Sequence, residues 1–141
     1  MDLIADLCSN VAPFHEHGLV WASTRAVLAG ATHVKVQLFT PSHFPRQERE
    51  AKRAVTFPRE RLKGFVCAVH ACGGKAGASV FDEQAVDACV DAGMDFLKLA
   101  TREAFNPVLV DLCADTGLPF YTSLPLWAYR CLLYTSDAAD E

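Results

Sequence analysis

The sequence lacks the features that identify several large classes of protein. It has no apolar run near the roughly 20 residues that a membrane-spanning helix needs, and its first residues lack the basic flank of a signal peptide. It contains no Gly-x-Ser-x-Gly nucleophile motif, and no glycine-rich loop joins a predicted strand to a helix. We therefore expect a cytoplasmic protein without a membrane partner, a serine nucleophile or a nucleotide-phosphate loop.

Cysteine spacing and net charge exclude further classes. The six cysteines include no Cys-x-x-Cys pair, so we expect buried reduced thiols rather than a disulfide framework or a zinc site. A net charge of −4 argues against nucleic acid as a partner. We assign no metal ligand, and we expect all five histidines to lie on the surface or in loops: His15, His17, His33, His43 and His70.

A strand and helix unit does recur along the chain. Helical segments end near Gly30, Gly73, Gly93 and Gly117, and a β-prone run follows each within a few residues. Glycine is common there because the residue after a helix often turns left-handed. With an opening strand at residues 3–7, the predicted strands are residues 33–39, 75–81, 94–100 and 118–123. This alternation predicts a parallel sheet covered by helices.

Two residues in the sequence mark the starts of predicted helices. Asp82 is a predicted N-cap for the helix that follows it, and Asn106 is another, with proline at the first helical position.

Polar residues within the strands distinguish between two arrangements of this sheet. Lys35 and Gln37 alternate with valine and leucine in the second strand, and Lys98 stands between two leucines in the fourth. Strands of an open doubly wound sheet are usually apolar on both faces, whereas a barrel can point polar residues inward. We therefore predict an α/β fold, a partial (β/α)8 TIM barrel of about five parallel strands. The alternative is that each lysine is an ion-paired residue at a sheet edge.

Four segments, taken in order, carry a resemblance to a known family. IADLCSN at residues 4–10 resembles IAEIGSN, AGATHVKVQLF at residues 29–39 resembles AGADAVKFQTF, ASVFD at residues 78–82 resembles STPFD, and LKLATRE at residues 97–103 resembles YKIASGE. Over residues 3–125 the chain resembles the N-acetylneuraminate (sialic acid) synthase family of phosphoenolpyruvate-dependent synthases.

The resemblance implies a transferase of sialic-acid-type carbohydrate biosynthesis that forms a carbon–carbon bond between phosphoenolpyruvate and an N-acylated amino sugar. It implies two carboxylates in the chemistry: Glu103 as acid/base or water-orienting group, and Asp6 as the holder of sugar hydroxyls. The residues expected to bind phosphoenolpyruvate share cationic, amide or hydroxyl donors that suit a phosphate and a carboxylate. They are Lys35, Gln37, Ser79, Lys98, Thr101 and Ser123.

The chain departs from the family pattern at several positions. Asp6 replaces a glutamate, Val11 a histidine, Arg102 a glycine, and Leu124-Pro125 a Thr-Gly pair. The family also implies a divalent metal, Mn or Mg, bound by histidines on later strands that this chain does not contain, and it is compatible with a homodimer of the full-length parent.

The last eleven residues, 131–141, resemble a translated sequencing adapter. We therefore predict that residues 1–130 are the N-terminal portion of a TIM-barrel synthase domain, that residues 131–141 are a non-native tail, and that the fragment itself is inactive. Two alternatives stay open. One is a barrel aldolase with Lys98 as Schiff-base nucleophile, and the other is a non-catalytic truncated fragment whose strand edges are open.

Overall fold

A computed structural model describes residues 1–8, 10–125 and 127, so the predicted tail at residues 131–141 lies outside the described residues. Five strands form one sheet: β1 (Ile4–Asp6), β2 (His33–Leu38), β3 (Lys75–Val80), β4 (Phe96–Leu99) and β5 (Phe120–Thr122). Each strand pairs in parallel with the next along the chain. This sequential order is that of a curled half-barrel and differs from a doubly wound sheet, whose strand order reverses. The predicted partial barrel is confirmed.

Helices occupy the connections between the strands. They are α1 (Glu16–Leu28), the short α2 (Arg49–Ala54), α3 (Leu62–Ala71), α4 (Glu83–Ala92) and α5 (Pro107–Asp115). Both predicted N-caps are confirmed, because Asp82 Oδ1 accepts a hydrogen bond from the Ala85 amide at 2.7 Å and Asn106 Oδ1 accepts one from the Leu109 amide at 3.4 Å. Within the described ranges, no helix is long and apolar enough to cross a membrane.

The glycines after four helices adopt the conformation that the sequence predicts. Gly30, Gly73, Gly93 and Gly117 have φ values of 102°, 81°, 77° and 70°. A side chain in this left-handed region would be strained, so glycine lets each helix stop and the chain turn back to the sheet.

The apolar core lies between the sheet and the helices. Val34, Val36, Leu97 and Leu99 are fully buried there with the apolar faces of the helices. Burial of one such side chain contributes roughly 1.5–3 kcal/mol. Lysines 35 and 98 alternate with these residues, so they point to the opposite, inner face of the half-barrel. Because β2 and β4 each have a neighbour on both sides, neither lysine lies on an edge strand.

An aromatic layer, defined here as His33, Phe96 and Tyr121, covers the inner face near the N-terminal ends of the strands. The His33 ring lies edge-on to Phe96 at 5.0 Å and to Tyr121 at 6.0 Å. Gly77 makes room for this layer, since a Cβ at that position would lie 2.5 Å from the Phe96 ring. The polar residues of the inner face therefore lie on the other side of the layer, towards the C-terminal ends of the strands.

Two predictions about side-chain exposure need correction. His33 is only 4% exposed and lies within β2, so its assignment to the surface or a loop was wrong; its Nδ1 is satisfied by the Thr32 hydroxyl at 2.8 Å. Of the five described cysteines, Cys89 and Cys113 are buried, but Cys67 is exposed and Cys8 and Cys72 are half-buried. The prediction of buried thiols therefore fails for these last three, which lie outside the packed core.

Candidate functional site

Strand register brings the predicted polar residues into two adjacent rows on the inner face. Asp6 pairs with Lys35 across β1 and β2, while Gln37, Ser79 and Lys98 pair across β2, β3 and β4. Residues that pair across parallel strands point to the same face of the sheet. The sequence-predicted residues on four separate strands therefore meet near the C-terminal ends of the strands.

Lys35 forms the centre of this polar group. Its Nζ lies 2.5 Å from Asp6 Oδ2 and donates to the Ser79 hydroxyl at 3.0 Å, while its side chain is only 8% exposed. Gln37 Nε2 donates to the same Asp6 oxygen at 3.1 Å, and the Cys8 amide donates to Asp6 Oδ1, also at 3.1 Å. A buried ammonium is tolerated when it is paired and hydrogen-bonded in this way. We call Asp6, Lys35, Gln37 and Ser79 the inner polar cluster.

Lys98 lies beside this cluster in a different electrostatic state. The pKa of its ammonium is lowered from 10.5, first by burial and then by the positive charge of Lys35, while the Asp6 carboxylate opposes the shift. Within the part of the chain that the structure describes, its amine makes no ion pair or hydrogen bond. Lys35 is therefore a paired cation, and Lys98 is a partly buried amine without a carboxylate partner.

Glu103 follows β4 in a short 3-10 turn and is buried. Arg102 Nε donates to its Oε1 at 2.8 Å, and Arg102 Nη1 reaches the His43 carbonyl oxygen at 3.2 Å in the turn after β2. The Arg102 backbone is right-handed, with φ −65° and ψ −40°. This conformation does not require glycine, and Arg102 places a cation beside Glu103.

A second charged group at the same end of the strands was missed by sequence reasoning. His43 Nε2 lies 3.3 Å from Asp82 Oδ2, and Arg59 Nη2 lies 3.4 Å from Asp82 Oδ1. His43 Nδ1 accepts a hydrogen bond from the Thr40 amide at 3.1 Å, which closes the turn after β2. Because His43 and Asp82 both follow strands shortly after their C-terminal ends, their position was the signal that could have revealed this pairing.

Thr101 and Ser123 are less closely associated with the cluster. Thr101 is exposed and Ser123 is half-buried, and among the described residues neither side chain hydrogen-bonds to the group. The Ser123 amide instead donates to the Leu99 carbonyl at 3.1 Å, which extends the pairing of β5. Their proposed roles in ligand binding stay predictions.

The charges at this end of the strands are mostly matched. Asp6 pairs with Lys35, Glu103 with Arg102, and Asp82 with Arg59. Of the two inner-face lysines, Lys98 is left without a carboxylate in the described structure. An amine in this setting, with a second ammonium and a hydroxyl nearby, favours an anionic ligand.

A metal site does not emerge from the same residues. In the described ranges, no three His, Cys, Asp or Glu side chains form a group that could hold a metal ion. A surface cavity of about 290 Å³ lies between α1 and α3, and its lining contains none of the predicted site residues.

The fold and the inner face together define a (β/α) half-barrel with a polar group at the C-terminal ends of its strands. No family model and no curated protein matches the chain. Solved structures do match, and they share its fold at low sequence identity.

An N-acetylneuraminic acid (sialic acid) synthetase from Leptospira borgpetersenii has a TM-score of 0.79 and 18% identity over 87% of this chain and 44% of its own. A Chromobacterium violaceum protein named for spore coat polysaccharide biosynthesis has a TM-score of 0.71 and 19% identity, over 87% and 40%. A truncated 3-deoxy-D-arabino-heptulosonate 7-phosphate synthase from Thermotoga maritima has values of 0.67 and 14%, over 88% and 40%. The chain thus spans less than half of each of these structures.

Proposed function

We propose that this chain is the N-terminal part of the barrel of a phosphoenolpyruvate-dependent nonulosonic acid synthase. The reaction joins phosphoenolpyruvate to an N-acylated amino sugar through a new carbon–carbon bond. The observation that carries the proposal is Lys98, an inner-face amine beside the inner polar cluster that has no carboxylate partner in the described part of the chain. The order of the four family-like segments supports it, and so does the fold shared with a sialic acid synthetase.

Phosphoenolpyruvate carries a phosphate and a carboxylate on one small molecule, so its site needs two centres of positive charge. Lys35 and Lys98 lie on strands separated only by β3, which corresponds to about 10 Å between their backbones at the usual strand spacing. Ser79 of β3 lies between them and supplies a hydroxyl. We assign the two anionic groups to Lys35 and Lys98, with Ser79, Gln37, Thr101 and Ser123 as further donors.

We assign the two carboxylates to the sugar and to proton transfer. Asp6 would accept hydrogen bonds from sugar hydroxyls, and its half-exposed carboxylate already accepts from Gln37 and Cys8. Glu103 would act as acid/base or orient water, which requires its contact with Arg102 to open in the complex. The divalent metal, Mn or Mg, and the homodimer belong to the proposal for the full-length protein, and no step is assigned to the metal.

Direct titration of the chain tests the anion-binding half of this proposal. We expect phosphoenolpyruvate to shift the backbone amide resonances of β2, β3 and β4 in a ¹⁵N-labelled sample, and to bind more tightly than phosphate or pyruvate alone. Lys98→Ala should weaken the binding of phosphoenolpyruvate about 10- to 100-fold, because a hydrogen bond to a charged group contributes roughly 1.5–3 kcal/mol. The same spectra report whether each variant is folded.

Lys63→Ala is the matched control, since Lys63 is an exposed lysine on α3 in the outer layer. It should leave the affinity unchanged. Equal losses in both variants would indicate nonspecific attraction to positive charge. An unchanged affinity in a folded Lys98→Ala variant would contradict the proposed site.

A further inference from the structure

We propose that Lys98 is a carbonyl-reactive amine that forms imines with aldehydes or 2-oxo acids carrying a phosphate or carboxylate group. This activity is separate from the condensation proposed above, and it rests on that proposal only in using the same anion-binding groups. It arises from the different environments of the two inner-face lysines.

Lys35 is closely paired with its neighbours. Two of its three N–H donors are committed, one to Asp6 at 2.5 Å and one to Ser79 at 3.0 Å. An ammonium with a carboxylate this close has no lone pair to offer to a carbonyl carbon. Lys35 is therefore suited to attract an anion and is unsuited to attack a carbonyl carbon.

Lys98 has the opposite properties. In the described part of the chain its amine is bound to no carboxylate or hydroxyl, and Lys35 contributes a positive charge from two strands away. Burial and that charge lower the pKa of Lys98, which increases the fraction of neutral amine. A desolvated lysine beside another cation is a recognised way to make a nucleophilic amine.

The chemistry needs no further reagent. The Lys98 lone pair attacks the carbonyl carbon, the carbonyl π electrons move to oxygen, and proton transfer from nitrogen gives a carbinolamine. Loss of the hydroxyl as water, with the remaining amine proton passing to solvent, forms the carbon–nitrogen double bond. The remaining N–H of Lys35 and the Ser79 hydroxyl can hold the anionic group of the same molecule during these steps.

The lysine content of the chain makes the inference sharply testable. There are five lysines, and the three others are Lys52, Lys63 and Lys75. Lys52 is half-buried with its Nζ over the Phe44 ring at 4.5 Å, and Lys63 and Lys75 are exposed. In the described structure none of these three belongs to the inner polar cluster, so they serve as internal references for the labelling of Lys98.

The experiment is a short exposure of the native chain to pyridoxal 5′-phosphate near pH 7.5, trapping with borohydride, and peptide mapping by mass spectrometry. We expect labelling of Lys98 at least fivefold above each other lysine, and a smaller preference with pyridoxal, which lacks the phosphate. Lys98→Arg should remove the main label, whereas Lys63→Arg should leave it unchanged. Equal labelling of the five lysines, or a main label on Lys35, would overturn the inference.

Competition separates this inference from the proposed function. If phosphoenolpyruvate binds in a Lys98-dependent way but labelling is uniform, the reactive amine is refuted and the anion site stands. If Lys98 is labelled selectively but phosphoenolpyruvate gives neither protection nor resonance shifts, the reactive amine stands and the proposed synthase site is refuted. Protection of a selective Lys98 label by phosphoenolpyruvate supports both.

Discussion

Gly77 is the point at which one added methyl group should disturb the inner face. An alanine Cβ there would lie 2.5 Å from Phe96 Cε1 and Cζ and 2.6 Å from Cδ1. Ordinary carbon contacts are about 3.5 Å, so the ring would have to move by about 1 Å. Phe96 is 1% exposed and packs against the His33 and Tyr121 rings at 5.0 and 5.5 Å. The aromatic layer therefore has little free space into which the ring can move.

Overpacking of this kind costs about 1–3 kcal/mol, and we expect Gly77→Ala to lower the free energy of unfolding by that amount. The φ of Gly77 is outside the left-handed region, so backbone strain adds nothing to this figure. Urea denaturation followed by circular dichroism measures the change. Gly64→Ala is the matched control, because Gly64 lies in α3 and an added methyl carbon there would meet no atom within 4 Å. That change should stabilise the chain by up to about 1 kcal/mol.

A double-mutant cycle tests the assigned cause. Phe96→Leu removes the aromatic ring, so Gly77→Ala should cost at least about 1 kcal/mol less in that background than in the wild-type chain. Additive effects of the two substitutions, or a Gly77→Ala variant as stable as the wild type, would refute the close packing of Gly77 against Phe96.

Three further predictions follow from buried polar groups. The pKa of Lys98 in the folded chain lies below its unfolded value of 10.5, so protonated Lys98 destabilises the fold near pH 7. This destabilisation fades as the pH rises to 10.5. Lys98→Met should therefore raise the melting temperature at pH 7 and give no such increase at high pH. Among the described residues the buried Ser23 Oγ has no hydrogen-bond partner, so Ser23→Ala should stabilise the chain by about 1 kcal/mol in denaturant titrations. Destabilisation would contradict this. Burial raises the pKa of Cys89 to about 12, so iodoacetamide at pH 8 should modify exposed Cys67 at least a hundredfold faster, as measured by peptide mass spectrometry.

The features of the fold that could be predicted from the sequence mostly have local signals. The glycines that end helices, and the N-caps Asp82 and Asn106, each act through their own backbone or that of the next turn, so they can be recognised without knowledge of the tertiary structure. The alternation around Lys35 and Lys98 identified the inner face for a similar reason, since strand geometry fixes which side chains share a face.

The features that were missed depend on how separate strands are brought together. The burial of His33 results from contact with Phe96 and Tyr121, which lie on β4 and β5. The pairing of His43 with Asp82 depends on the turn after β2 folding over the end of β3. The position of His43 and Asp82 after their strands indicates the same end of the sheet, but register and sheet curvature determine which residues meet in both contacts.

Arg102 shows how a departure from a family pattern can favour the proposed ligand. With glycine at position 102, the two positive charges of Lys35 and Lys98 and the two negative charges of Asp6 and Glu103 would sum to zero. Arg102 binds Glu103 directly at 2.8 Å and makes the sum +1. Its second contact, to the His43 carbonyl, ties the turn after β4 to the turn after β2. Arg102 thus pairs with the Glu103 carboxylate and adds a positive charge at this end of the half-barrel, which favours an anionic ligand.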